Sequence, residues 1–198
     1  MSNTSNDLAP LREFVAAMTH LVERTQDEPT LIGEGTRLLG GLLVDDAWLP
    51  DAYALPHPDH YQQYLLHCDP RERFSVVSFV WGPGQKTPIH DHTVWGLIGM
   101  LRGAENSQNY SFDDSTKRLV ATDLDRLERC SVAAVSPDIG DIHEVSNALD
   151  SAPSISIHVY GANIGAVRRH VFDPESGRAK DFVSGYAAEH VPNLWDRS

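Results

Sequence analysis

Gly82-Pro83-Gly84-Gln85-Lys86-Thr87-Pro88-Ile89-His90-Asp91-His92 decides how this chain is read. The glycines and prolines mark a turn, and the histidine pair ends the extended piece behind it. Side chains at i and i+2 share a face of a strand, so His90 and His92 can point inward together while Asp91 points away. Far downstream, His143 follows Gly140-Asp141, where a further strand begins. If that strand lies opposite the first, its imidazole completes a face of three nitrogens. Three histidines without a carboxylate or thiolate suit a divalent metal that keeps open positions for chemistry. Taken alone, an H-x-H pair is often chance; the surrounding pattern gives it weight.

Around this stretch the chain reads as many short strands. Phe74 to Trp81 is a β-branched and aromatic run that stops at the turn. Thr93 to Leu101 is a second apolar run, ending at Arg102-Gly103. Further strands are expected at Asn106 to Phe112, Leu119 to Ala121, Ser131 to Val135, Ile142 to Val145, Ser154 to Tyr160 and Val167 to Phe172. Short strands separated by turns predict a mainly β sandwich or barrel. Before them the pattern is helical. Leu11, Phe14, Val15, Met18, Leu21 and Val22 form one apolar stripe, with Asn6 or Asp7 as a cap and Pro10 in the first turn. A weaker helix spans about Pro29 to Val44, diluted by Gly33, Gly35, Gly40 and Gly41. Pro50 to Pro58 reads as loop. From Val183 to Ser198 the tail reads as an irregular wrap, with Tyr186 and Trp195 packing onto the barrel.

The 198 residues suffice for one sizeable core, so a single domain over 1–198 is expected, with a helical layer at about 7–45 and a barrel at about 61–172. A net charge of -12 argues against nucleic-acid or anionic-membrane partners, which want a basic face. No secretory signal and no membrane-length apolar run is visible. Two cysteines, Cys68 and Cys130, fit a reducing compartment as ordinary buried or half-buried thiols, and a cytoplasmic location is expected.

Several separated motifs agree with one family. Gly84, His90-x-His92 and Gly103 resemble the first motif of the cupins, whose fold is a double-stranded β-helix, or jelly-roll barrel. Pro137, Gly140, His143 and Asn147 resemble the second. The usual first motif carries a glutamate where this chain has Gly96. Losing that carboxylate is similar to the thiol dioxygenase branch, the cysteine dioxygenase-like family. The resemblance covers roughly Tyr61 to Phe172. It implies one mononuclear non-haem Fe(II) held by His90, His92 and His143. Three neutral imidazoles leave the ion its full double charge, which favours a soft anionic thiolate from the substrate. Zinc could take the same histidines but offers no redox chemistry.

Ser156, His158 and Tyr160 alternate along one strand and share a face. The family's bacterial members carry such a series as a hydrogen-bonded chain ending near the metal. Without the resemblance it reads as the polar face of an edge strand. In the mammalian cysteine dioxygenases a cysteine at the Gly96 position is cross-linked to the tyrosine; here no thioether can form. A carboxylate-bearing thiol needs a cation, and neighbours on a strand point oppositely, so only one of Arg168 and Arg169 can serve. The family pattern favours Arg169, with Val167 and Val171 on its face. Cysteine-specific members carry an arginine where this chain has Gln63, with Gln62 as the alternative register. Gln-type members are similar to 3-mercaptopropionate dioxygenases. Trp95 reads as core or pocket lining; His20, His57, His60, His67, His170 and His190 read as surface or core.

The expectation is therefore a thiol dioxygenase that takes a small thiol and O2 to the sulfinic acid, 3-mercaptopropionate before cysteine, as a monomer or homodimer. Two alternatives stand beside it. A cupin enzyme acting on carbon substrates would more often keep the glutamate. A non-catalytic cupin that binds a metal or ligand would need neither the Ser-His-Tyr series nor an inward arginine.

Overall fold

The computed structural model describes residues 7–113, 115, 116 and 118–195. Helix α1 (Ala9–Arg24) buries Leu11, Phe14, Val15, Met18 and Leu21, the expected stripe, with Pro10 in its first turn. Each such side chain contributes about 1.5–3 kcal/mol on leaving water. Asn6 lies outside the described residues. Asp7 accepts a hydrogen bond from the Ala9 amide (2.9 Å), although the N-cap residue itself is Leu8. Helix α2 (Glu28–Leu42) starts at Asp27, whose carboxylate accepts from the Thr30 amide. Its glycines are tolerated because tertiary packing outweighs propensity. Asp51–Tyr53 forms one 3-10 turn inside the expected loop.

The described residues also form eleven strands: β1 (Gln62–Cys68), β2 (Ser75–Trp81), β3 (Ile89–His90), β4 (Gly96–Arg102), β5 (Ala104–Phe112), β6 (Leu119–Glu128), β7 (Val132–Val135), β8 (Ile142–Asn147), β9 (Ser154–Tyr160), β10 (Arg169–Phe172) and β11 (Ala179–Phe182). They form two antiparallel sheets, ordered β1-β2-β9-β4-β7 and β11-β10-β3-β8-β5-β6. This is the mainly β, two-sheet architecture of a double-stranded β-helix with two N-terminal helices. The helices cover the outer face of the five-stranded sheet, where Leu39 and Leu43 approach β4. A Cβ on Gly99 would stand 2.7 Å from Leu43 Cδ1, so glycine is what lets that helix lie so close.

Some expectations need correction. β1 and β11 were not expected, because Gln62–Cys68 lacks a clean alternation and Ala179–Phe182 is largely polar and exposed. β6 is ten residues long rather than three, since its exposed outer edge carries charges that hide the strand. The His143 strand does meet the first: β8 pairs with β3 in one sheet, with His143 directly opposite His90. Cys68 is half-buried, but Cys130 is exposed, in a left-handed turn (φ 68°) between β6 and β7. Tyr186 does pack onto the barrel, donating to Asn163 and accepting from the Gly165 amide. Trp195 does not: it is 70% exposed and stacks under Arg12 of α1. Residues 196–198 of the expected wrap lie outside the described residues. No described helix is long and apolar enough to cross a membrane.

Candidate metal centre

β3 is only two residues long, so the histidine pair is placed by more than strand alternation. His90 sits in the ladder, bridged to His143 on one side and to Val171 of β10 on the other. His92 lies just beyond it. Asp141 holds it there, accepting from the His92 and Thr93 amides (3.1 and 2.9 Å). Thr93 adopts a left-handed backbone (φ 60°), which turns the chain sharply after the second histidine. Asp91 points away, as expected, and binds the His170 amide and ring (both 2.7 Å).

The three side chains are buried, and their ligand atoms all lie within 4.8 Å of one another. Each Nδ1 has its own partner: the Pro88 carbonyl for His90 (3.1 Å), Asp141 Oδ1 for His92 (2.8 Å) and Ser107 Oγ for His143 (3.0 Å). That arrangement fixes the rings and leaves each Nε2 for an ion, as in metal-binding histidines generally. Burial, reinforced by the neighbouring imidazoles, holds the His90 and His143 pKa values well below the ordinary histidine range. Neutral imidazoles are what a metal needs. A three-nitrogen donor set of this kind suits iron, and no carboxylate among the described residues joins it.

At the expected glutamate position, Gly96 faces Tyr160 directly. A Cβ there would meet Tyr160 Cδ1 at 2.8 Å. The Ser156-His158-Tyr160 series is continuous: Ser156 Oγ to His158 Nε2 is 2.8 Å, and His158 Nδ1 to Tyr160 Oη is 2.8 Å. All three are buried in a central strand, so the edge-strand reading is set aside. Burial keeps His158 neutral and pushes the Tyr160 phenol up, so its proton stays on.

These groups meet in a cavity of about 170 Å³, lined by the three histidines, Tyr160, Arg169 and Gln63 among others. Arg169 is 3% exposed, while Arg168 is exposed and pairs with Asp181. Arg169 Nη2 donates to Ser184 Oγ (2.6 Å), its plane lies over Phe182 (4.7 Å), and its Nε has no partner. Gln63, not Gln62, faces this space; its amide donates to Ser184 Oγ and the Gly185 carbonyl (2.9 and 2.7 Å). Tyr61, Phe79 and Trp81 stack along the wall. Trp95 belongs to the core beneath the helices. Of the remaining histidines, His57 and His60 stack on each other at 3.9 Å, and His170 supports Asp91.

Sequence reasoning missed Asp141, Ser107, Phe182 and Ser184. Asp141 is two residues before His143 and so shares its alternation, a weak signal. The others are brought in by neighbouring strands or by the tail, and nothing local marks them.

The curated relatives include cysteine dioxygenase type 1 of Bos taurus, 26% identical over 112 residues, which cover 56% of this chain and 55% of that protein. The Homo sapiens protein of the same name is 26% identical over 106 residues, 53% of this chain and 52% of its own. The chain thus spans about half the length of the curated relatives it matches. Among solved structures, an acetylacetone dioxygenase from Acinetobacter johnsonii is 16% identical, with a TM-score of 0.46, over 68% of this chain and 81% of that one. The family model for cysteine dioxygenase type I matches residues 46–173, more than half of the chain, and takes in the histidine trio, Gly96 and the Ser156-His158-Tyr160 strand. The chain belongs to the cysteine dioxygenase type I family.

Proposed function

We propose that this protein is a thiol dioxygenase that converts a small thiol carboxylic acid to its sulfinic acid. One observation carries the reading: three buried imidazoles, a buried arginine with an unpartnered Nε, and a tyrosine backed by a hydrogen-bonded series all line one cavity. His90, His92 and His143 would hold Fe(II), which supplies the redox chemistry that lets thiol and O2 react in one place. The sulfur is oxidised, O2 is reduced, both oxygen atoms end on sulfur, and one proton leaves with formation of the sulfinate. A sulfinate stands two steps above the thiol on the oxidation ladder, so both oxygens must be delivered in one site.

The chain's own residues bind and orient. Arg169 receives the substrate carboxylate through its guanidinium, whose planar fork fits two oxygens. Phe182 and Ser184 hold the guanidinium in place. Tyr160 presents its hydroxyl to the reacting sulfur end, steadied by His158 and Ser156. Phe79 and Trp81 form the apolar wall that keeps water out.

The favoured substrate is 3-mercaptopropionate. The cavity's lining contains one cation and no Asp or Glu, so an α-ammonium group would be desolvated without a counter-charge. Neutral Gln63 stands where cysteine-specific members carry arginine. Cysteine is the second reading, favoured by the mammalian relatives, which are cysteine dioxygenases. Oxygen uptake by the Fe(II)-loaded protein with a panel of thiols tests both. 3-Mercaptopropionate should exceed cysteine, and cysteamine, with no carboxylate, should be poor. No thiol-dependent uptake removes the reading, while a preference for cysteine removes only the substrate assignment. Cytoplasmic placement and a monomeric or homodimeric state belong to the same proposal.

A further inference from the structure

On the other side of His143 and Val145 from the metal site, a second cavity of about 310 Å³ lies between the two sheets. The proposed reaction does not use it. Small-molecule sites commonly run from about 300 to 1,000 Å³, so it is large enough to hold a ligand. Strand alternation builds it. Glu105, Ser107 and Asn109 share the inward face of β5. Leu127 and Asp125 of β6 are in register with the first two, and Asn147, Val145 and His143 of β8 are in register with all three. Ile98 of β4 and Ala133 and Val135 of β7 close the space from the opposite sheet. Burial falls along β5: Glu105 and Ser107 are buried, Asn109 is half-buried, and Ser111 is exposed at the mouth.

The closed end carries an unsatisfied acid. Glu105 is 1% exposed. Ser154 Oγ donates to its Oε1 at 3.3 Å, and Oε2 has no partner among the described residues. A carboxyl oxygen buried in this way is costly, and a donor brought into the cavity removes that cost. The walls decide which donor. Glu105, Asp123, Asp125 and Asp141 line the space, and among the described residues no lysine or arginine does. Anions are repelled, and cations are drawn to a mouth where Asp123 and Asp125 are exposed. Asp125 is engaged by Asn109 Nδ2 (2.8 Å) and Asp141 by the His92 ring (2.8 Å), which leaves Glu105 as the inward acid for a ligand. A bare metal ion does not suit it: among the described residues only the three histidines bring three ligand atoms close enough to share one. Around Glu105 the wall is apolar, built by the buried Ile98, Leu127, Val135 and Val145. A cationic head on a short hydrocarbon body matches both parts.

We propose that this cavity binds a small aliphatic primary amine, its ammonium group donating to Glu105 Oε2 and its hydrocarbon body lying against Ile98, Leu127, Val135 and Val145. An ammonium carries several N–H donors, so a second one meets Ser107 Oγ, two residues along the same face. The occupant then stands one hydroxyl away from His143, whose Nδ1 lies 3.0 Å from Ser107 Oγ. This site is distinct from the cavity that takes the thiol, and nothing in it depends on thiol oxidation.

Titration calorimetry of the metal-loaded protein with butylammonium tests the proposal, beside butanol and butyrate, which share its body but not its charge. Butylammonium should bind saturably, and the other two at least about tenfold more weakly. Glu105→Gln keeps the shape and removes the charge, and should weaken butylammonium binding about tenfold or more. Ala133→Phe fills the cavity without touching the acid and should abolish binding. A crystal structure of the wild-type complex should place the nitrogen on Glu105. No saturable binding, equal binding of butanol, full affinity in either variant, or an amine seated in the metal-site cavity overturns the proposal. Should a variant not fold, the ligand comparison and the complex of the wild type decide alone. Oxygen uptake plays no part in these readouts, so loss of the oxidation reading leaves this site standing, and loss of this site leaves that reading untouched.

Discussion

Ser184 Oγ accepts the Arg169 guanidinium at 2.6 Å and, from the other side, the Gln63 amide at 2.9 Å. One hydroxyl from the tail thus sets the spacing between the cavity's only cation and its neutral neighbour. Ser184→Ala should raise KM for 3-mercaptopropionate roughly fivefold with little change in kcat, since a net hydrogen bond is worth about 1 kcal/mol. Steady-state oxygen uptake checks this; an unchanged KM removes Ser184 from the clamp.

Arg169→Ala should lower kcat/KM by about ten- to a hundredfold, mainly through KM, because a charge-assisted pair is lost. Arg168→Ala should behave as wild type, its partner being Asp181 on the surface. The reverse pattern in the same assay would move the clamp to Arg168.

His143→Ala should abolish stoichiometric iron binding, measured by elemental analysis after anaerobic loading. Ser107→Ala keeps all three ligands but frees the His143 Nδ1, and should weaken metal affinity by about ten- to a hundredfold. Competition with a chelator reads that difference directly.

Gly96→Ala introduces a Cβ 2.8 Å from Tyr160 Cδ1 and 3.0 Å from Val135 Cγ2. Both neighbours are buried, so relief requires moving the ring. A cost of about 1–3 kcal/mol is expected in chemical denaturation, with a fall in kcat as Tyr160 shifts. Stability equal to wild type would mean that the ring has room the packing does not show.

Asp69 accepts the Arg73 side chain at 2.9 and 2.7 Å and the Arg71 and Arg73 amides. These bonds, the Arg73 side chain foremost, hold its pKa down at about 2, against 3.8 for a free aspartate. A depressed carboxyl stabilises the fold above the unfolded value and loses that contribution as pH falls from 3.8 through about 2. Asp69→Asn should therefore cost about 2 kcal/mol at neutral pH, with a gap to wild type that closes in acid. A gap independent of pH in denaturant titrations would mean that the amide loses something other than charge.

The chain announced its metal ligands because they sit in a turn whose glycines and prolines leave few other readings. The Ser156-His158-Tyr160 strand was equally legible, since alternation alone puts those three on one face. Arg169 over Arg168 followed from the same rule only once the family pattern set the phase. What stayed hidden depends on register between distant strands. Ser107 reaches His143 because β5 pairs with β8, and Ser184 reaches Arg169 from the tail. A sequence carries no local mark of either. β11 was hidden for another reason: its residues are mostly exposed, so no hydrophobic period betrays it.

That outermost strand has a bearing on turnover. β11 pairs only with β10, through four residues, and its side chains are largely in water. Few apolar contacts hold it, so its opening is among the least costly fluctuations open to the barrel. Phe182 and the hydroxyl behind the guanidinium leave with it. On the proposed reaction, fraying of this ribbon would loosen the grip on an anionic product, and amide hydrogen exchange at residues 179–182 would report that breathing.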